Sequence, residues 1–191
     1  MAVNEEHLRL CSSDEWASLL KEHVIPWVLE GVDFGDDVIE LGPGPGRTTE
    51  VLCTMTKRLT AVEADAALAE ALAARLAGSN VDVLHADATD LPLPDNRFSA
   101  AVSLTMLHHV PSAELQDRLF AEVARVLRPG AVFAGEDGLD SPEFRALHVD
   151  DICVPIDPEG LPDRLVRAGF EDVRVKANEF GLRFSATATK P

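Results

Sequence analysis

The sequence predicts an α/β fold in three layers, a largely parallel sheet with helices on both faces. Three observations predict it. Short apolar runs alternate with leucine-rich segments of helical period, the pattern of parallel β-α units. The first run, Val38-Ile39-Glu40-Leu41, opens into three glycines spaced two apart, Gly42, Gly44 and Gly46. Two later runs lead to the acids Glu63 and Asp87, at the strand ends where open sheets bind ligands.

Before the first strand, Ser12-Ser13-Asp14 offers helix caps. Trp16, Leu19, Leu20, His23, Val24 and Trp27 then recur at helical spacing, with Pro26 ending or kinking the helix. Its apolar face suits packing on the sheet edge. Residues 1–34 are set apart as an N-terminal helical segment, and 35–191 as the core of a single domain. Gly42–Gly46 read as a tight loop opening a helix, a geometry that lets a ligand approach the backbone. Val51, Leu52 and Met55 give that helix its buried stripe.

The second strand is Leu59-Thr60-Ala61-Val62-Glu63. Asp65 caps a helix with Leu68, Leu72 and Leu76 inward, stopped at Gly78. A third strand spans Val81 to Ala88 and carries Asp87 at its end. A fourth, from Phe98 to Leu104, leads to His108 and His109. Ser112 caps a longer helix with Leu115, Leu119, Val123, Val126 and Leu127 inward. Arg128-Pro129-Gly130 breaks the chain before a strand at 131–134. Residues 135–158 are loose and acidic, with a helix at 142–147. A last helix at 159–168 stops at Gly169. Two runs at 173–176 and 182–189 are joined closely enough at 178–181 for an antiparallel hairpin.

Composition narrows the function classes. The 191 residues carry a net charge of −16, which repels nucleic acid, and no basic cluster offsets it. No apolar run reaches membrane-spanning length, and the first residues lack a signal-peptide pattern, so no membrane partner and a cytoplasmic location are expected. Cys11, Cys53 and Cys153 are odd in number and form no close pair, which indicates reduced thiols. His148, Asp150 and Asp151 show no regular ligand spacing, so no metal is expected.

The glycine loop, the strand-end acids Glu63 and Asp87, and the fourth-strand segment with His108-His109 together resemble the class I S-adenosylmethionine-dependent methyltransferases, in particular the small-molecule enzymes similar to ubiquinone and menaquinone methyltransferases. The resemblance covers about 38–190. In that family the segment before the first strand often covers the cofactor or lines the substrate pocket, which marks residues 1–34 as a helical cap or lid, a role weighed equally with packing on the sheet edge. It implies a Rossmann-like seven-stranded sheet in order 3-2-1-4-5-7-6 with the last inserted strand antiparallel. It also implies S-adenosylmethionine as cofactor, S-adenosylhomocysteine as product and a small-molecule methyl acceptor. Gly42, Gly44, Gly46, Thr48 and Leu104 would surround the amino acid end, with Glu40 orienting it. Glu63, with Ala64 beside it, would accept from the ribose diol, and Asp87 and Ala88 would meet the adenine. His108, His109 and Asp137 are the groups expected to serve the acceptor's proton; Glu136 is a further one. The alternatives are an NAD-linked oxidoreductase, disfavoured by the early third glycine and by Pro43 and Pro45, and a non-catalytic partner or sensor that binds the methyl donor. A monomer and a homodimer suit the sequence equally.

Overall fold

A computed structural model describes residues 4–178 and 181–189 of the chain. The elements run α1 (Glu5–Cys11), α2 (Asp14–Leu19), a π-helical turn (Leu20–Val24), α3 (Ile25–Val28), β1 (Asp37–Leu41), α4 (Arg47–Leu52), β2 (Arg58–Glu63), α5 (Ala66–Arg75), β3 (Val81–His85), β4 (Phe98–Leu104), a 3-10 turn (Leu107–His109), α6 (Ala113–Val126), β5 (Leu127–Asp137), α7 (Pro142–Leu147), α8 (Leu161–Ala168), β6 (Phe170–Asn178) and β7 (Gly181–Ala188).

The strands form one sheet in the order β3-β2-β1-β4-β5-β7-β6. Strands β1 to β5 pair in parallel, and β7 runs antiparallel to both β5 and β6. This is the topology expected above. Period-two alternation splits the strand residues between two cores. Ile39 and Leu41 join Phe98, Phe120, Phe133, Phe170 and Phe184 on the face covered by α6 and α8. Val38, Ala100, Val102 and Leu104 join Leu20, Ile25 and Val28 on the face covered by the N-terminal helices. Phe133 is the hub of the first core, with ring centroids 4.9 Å from Phe184, 5.7 Å from Phe170 and 6.3 Å from Phe120.

The caps fall where the sequence places them. Asp65 accepts from the N–H groups of Ala67 and Leu68, Ser112 from that of Leu115, and Gly169 closes α8 in the left-handed region. Several boundaries differ. The N-terminal helix is broken: Ser13 caps α2, and a π turn inserts just before Pro26, whose missing N–H favours such a break. Leu19 and His23 then point outward instead of joining the apolar face. Helix α1 precedes it, where the sequence shows too short a stripe to mark a helix. Met55 lies beyond α4 and is exposed, because α4 closes at Leu52. Leu127 belongs to β5 and not to α6, and pairs with Phe98 across an irregular step that leaves Arg128–Gly130 outside. β3 ends at His85, so Asp87 sits in the loop after it. Residues 179 and 180, at the expected hairpin turn, lie outside the described residues.

Truncating Phe133 to alanine removes the ring on which three others pack. It is expected to lower stability by about 3–5 kcal/mol, read as a lower urea midpoint with an unchanged slope.

Candidate active site

The carboxyl ends of the parallel strands share one edge of the sheet, and a cleft of about 300 Å³ opens along it. Gly42, Gly44, Thr48, Glu63, Ala64, Asp87, Ala88, Leu104 and His109 all line this cleft. Glu40, Gly46, His108 and Asp137 do not; they stand behind it.

The glycine loop is set by backbone geometry. Gly42, Gly44 and Gly46 have φ of +64°, +54° and +84°, a region that penalises side chains. A Cβ at Gly42 would lie 2.1 Å from Met106 Cγ, whereas one at Gly44 would meet nothing within 4 Å. Gly44 therefore presents bare backbone to the cleft. Gly46 instead packs against Leu72 and Arg75 of α5, so its role is to seat the loop.

Glu63 ends β2, buried at 8% exposure. Its Oε2 accepts from the Gly44 N–H and its Oε1 from the Asp65 N–H, each at 2.9 Å. One carboxylate thus joins the glycine loop to the loop after β2. Asp87 is exposed, and its Oδ1 accepts from the Thr89 N–H at 2.8 Å. Beneath the loop, Glu40 is 2% exposed. Its carboxyl is pushed up to about 8, chiefly by burial and further by the Glu63 charge, while Thr49 opposes the shift. The Thr49 hydroxyl stands short of good hydrogen-bond geometry, since both its oxygen and Glu40 Oε2 lack a partner among the described residues.

The cleft also has an apolar lining. Leu8, Trp16 and Leu20 from the N-terminal segment contribute to it, with Met106, Val110 and Leu115. Cys11 also borders it, and burial holds its thiol up at about 11. Thr105 sits just after β4 at φ +49°, a strained position for a threonine, and its N–H donates to the Glu136 carbonyl at 3.0 Å. Sequence reasoning missed the α1 contribution of His7, Leu8 and Cys11; Asn4, whose side chain caps α1, was the available signal.

His108 and His109 follow β4 but differ in place. His108 is 1% exposed, and its Nδ1 lies 2.5 Å from Asp137 Oδ1. Its backbone N–H donates to Asp137 Oδ2 at 3.2 Å. His109 is half-buried on the cleft wall, with Nδ1 3.2 Å from the Ile152 carbonyl. Burial and the neighbouring histidines hold both His109 and His7 below the usual imidazole range, so both rings are neutral at pH 7. Glu136 is also buried, its carboxyl pushed up to about 8 by burial and by Asp137.

The Glu40 environment sets a pH dependence. Its folded value near 8 lies above the ordinary 4.5. The folded state therefore binds the extra proton between these values, and stability falls as pH rises through that window. Glu40→Gln removes the effect. Its melting temperature in the absence of ligand is expected to gain on the wild type by up to about 3–5 °C per pH unit between pH 5 and 8, and no further above. A constant gap in thermal scans across that range would contradict the burial argument.

Comparison with known proteins agrees with this geometry. Residues 39–135, half of the chain, match the family model described as a methyltransferase domain. The chain is 32% identical over 168 residues to sterol methyltransferase-like 1 of Botryococcus braunii, covering 84% of this chain and 42% of that protein. It is 32% identical over 97 residues to the demethylmenaquinone methyltransferase of Clavibacter sepedonicus, covering 50% of this chain and 38% of that one. The chain spans about two fifths of the length of these curated relatives. The crystal structure of a SAM dependent methyltransferase from Aquifex aeolicus shares the fold, with a TM-score of 0.76 over 98% of this chain and 100% of that one, at 18% identity. The family match sets aside the nicotinamide alternative. With its glycine loop, its strand-end carboxylates and its sheet order, the chain belongs to the class I S-adenosylmethionine-dependent methyltransferases.

Proposed function

We propose that this protein transfers a methyl group from S-adenosylmethionine to a small, largely apolar acceptor. The observation that carries the reading is the mixed lining of one cleft, where strand-end carboxylates and bare glycine backbone meet apolar side chains of the N-terminal helices.

The residues fit the donor. Gly44 leaves open space where a Cβ would stand, and Glu40 Oε2 is an orphaned buried acceptor suited to an ammonium group. When bound, the donor supplies a methyl group activated by a positively charged sulfur. The chain's part is to bind, align and exclude water. Glu63 retains acceptor capacity beyond its two backbone partners and takes the ribose diol as charge-assisted bonds. Asp87, whose Oδ1 accepts from the Thr89 N–H, takes the adenine amino group on its other oxygen, and the Ala88 N–H donates to the ring. Thr48, buried at the cleft floor, and Leu104 bound the amino acid end, with Ala64 flanking the ribose.

Of the four groups named for the acceptor's proton, His109 alone borders the cleft. Its ring bounds the acceptor space as part of the wall and not as a base, and His108 with Asp137 holds it in place as positioning residues. Residues 4–34 act as the cap, since Leu8, Trp16 and Leu20 form the acceptor wall. The sterol methyltransferase-like names of relatives and the apolar lining support a hydrophobic acceptor. The net charge of −16 speaks against a nucleic-acid one. Nothing in this reading requires a second copy, so monomer and homodimer both suit it.

Calorimetric titration with S-adenosylhomocysteine tests the donor site, and failure of the wild type to bind would overturn the reading. Glu63→Ala is expected to lose about 10-fold or more in affinity, while His109→Ala stays close to the wild type. Equal losses would refute the division of roles. On a panel of acceptors with labelled donor, turnover is expected on apolar compounds. Turnover confined to highly charged acceptors would refute the apolar wall, and binding without any turnover would mark a sensor.

A further inference from the structure

We propose that His7, His108, His109 and His148 form a site for one divalent transition-metal ion of the zinc type, which staples the N-terminal helix to the core beside the cleft. The four side chains bring one ligand nitrogen each to within 4.8 Å of one another. They come from three separate segments: α1, the turn after β4, and the end of α7.

Ring geometry agrees with four imidazoles around one centre. Their centroids are 4.1–6.3 Å apart. Four imidazoles bound tetrahedrally at zinc–nitrogen distances of about 2.0–2.1 Å would place centroids roughly 5 Å apart and ligand nitrogens about 3.3 Å apart. The cluster needs to draw together by about an ångström to close on an ion of that size.

The tautomers point the same way. A carboxylate or a carbonyl only accepts, so the nitrogen facing it carries the proton. His108 Nδ1 faces Asp137 Oδ1 at 2.5 Å, His148 Nδ1 the Phe144 carbonyl at 2.7 Å, and His109 Nδ1 the Ile152 carbonyl at 3.2 Å. Each of the three rings therefore keeps its lone pair on Nε2. Metal-bound histidines are commonly anchored in this way through the other ring nitrogen. His108 Nε2 and His148 Nε2 are buried and lack any partner among the described residues, in side chains that are 1% and 5% exposed. His7 Nδ1 makes no hydrogen bond among the described residues, but faces Asp151 Oδ2 at 3.5 Å.

Without an ion, His108 Nε2 and His148 Nε2 stay buried with no partner among the described residues, which is costly. A cation satisfies both together. The surroundings suit one: Asp137 backs His108, and Asp151 lies 3.5 Å from His7 Nδ1 and 3.7 Å from His109 Nδ1. Imidazole donors select zinc and its neighbours over magnesium or calcium, which take oxygen ligands. Four protein ligands complete a tetrahedron, so the ion is structural and leaves no open position for chemistry. The docking of α1 is already prepared: Asn4 Nδ2 donates to the Leu147 and Val149 carbonyls at 2.8 and 3.3 Å, beside His148.

The test is a cobalt(II) titration of the full chain after chelator treatment, independent of any methyl-donor binding. One equivalent is expected to give the intense visible bands of four-coordinate cobalt, displaced by zinc. His148→Ala is expected to weaken binding at least about 100-fold, and Asp137→Asn, which leaves all four ligands in place, about 10- to 100-fold. Far-ultraviolet circular dichroism shows whether each variant is folded. Zinc should also slow amide exchange over residues 5–11. Absence of the bands in the wild type, metal binding unaffected by either substitution, or unchanged exchange in α1 on saturation with zinc would each overturn the proposal.

Discussion

The hydrogen bonds from the Gly44 and Asp65 N–H groups to the two oxygens of Glu63 are the constraint on which the site depends. They link the tips of two adjacent parallel strands through one buried carboxylate. Strand pairing already sets β1 beside β2, with Leu41 opposite Val62 and the Gly42 N–H on the Val62 carbonyl at 2.9 Å. The carboxylate continues that register past the last rung of the ladder, into backbone that has no sheet partner. It thereby fixes a left-handed glycine loop that would otherwise be free to rearrange. The same group is also the acceptor proposed for the ribose, so the loop's shape and its ligand chemistry share one side chain.

The cleft draws its lining from two sources. The sheet supplies polar groups at its strand tips, and the N-terminal segment supplies the apolar side chains of Leu8, Trp16 and Leu20. That segment is tied down at several points. Arg47 donates to the Ser12 carbonyl and pairs with Asp14, while Arg183 of β7 lies over the Trp27 ring and pairs with Glu30. A lining built this way can vary in sequence without disturbing the strand tips, which suits the acceptor-facing role proposed for it.

Much of this was legible from residue order. The strand-forming runs, the caps at Asp65 and Ser112 and the stop at Gly169 are local signals, and they fall where short-range physics puts them. The glycine spacing and the acid Glu63 were equally readable, because loop geometry and strand ends leave marks in sequence. Other features had no local signal. Helix α1 is a single pair of turns whose burial comes from contacts with residues more than a hundred positions away. Leu127 follows a helical period yet begins a strand, since pairing with Phe98 outweighs the helical pattern. The division between His108 and His109, adjacent in sequence, appears only when the 3-10 turn sends one ring inward and the other to the wall. The gathering of four histidines was hidden most thoroughly. Only His108 and His109 are neighbours in sequence, so no ligand spacing exists for His7 and His148 to complete.

The distribution of aromatic residues has a practical consequence. The chain has two tryptophans and no tyrosine. Trp16 borders the cleft, while Trp27 lies beneath the guanidinium of Arg183. The near-ultraviolet emission of the molecule thus comes from two indoles in unlike settings, and one of them stands at the wall where a guest would displace water. The protein carries its own optical gauge of occupancy, with no dye attached, and replacing the distant indole would leave a single-site signal.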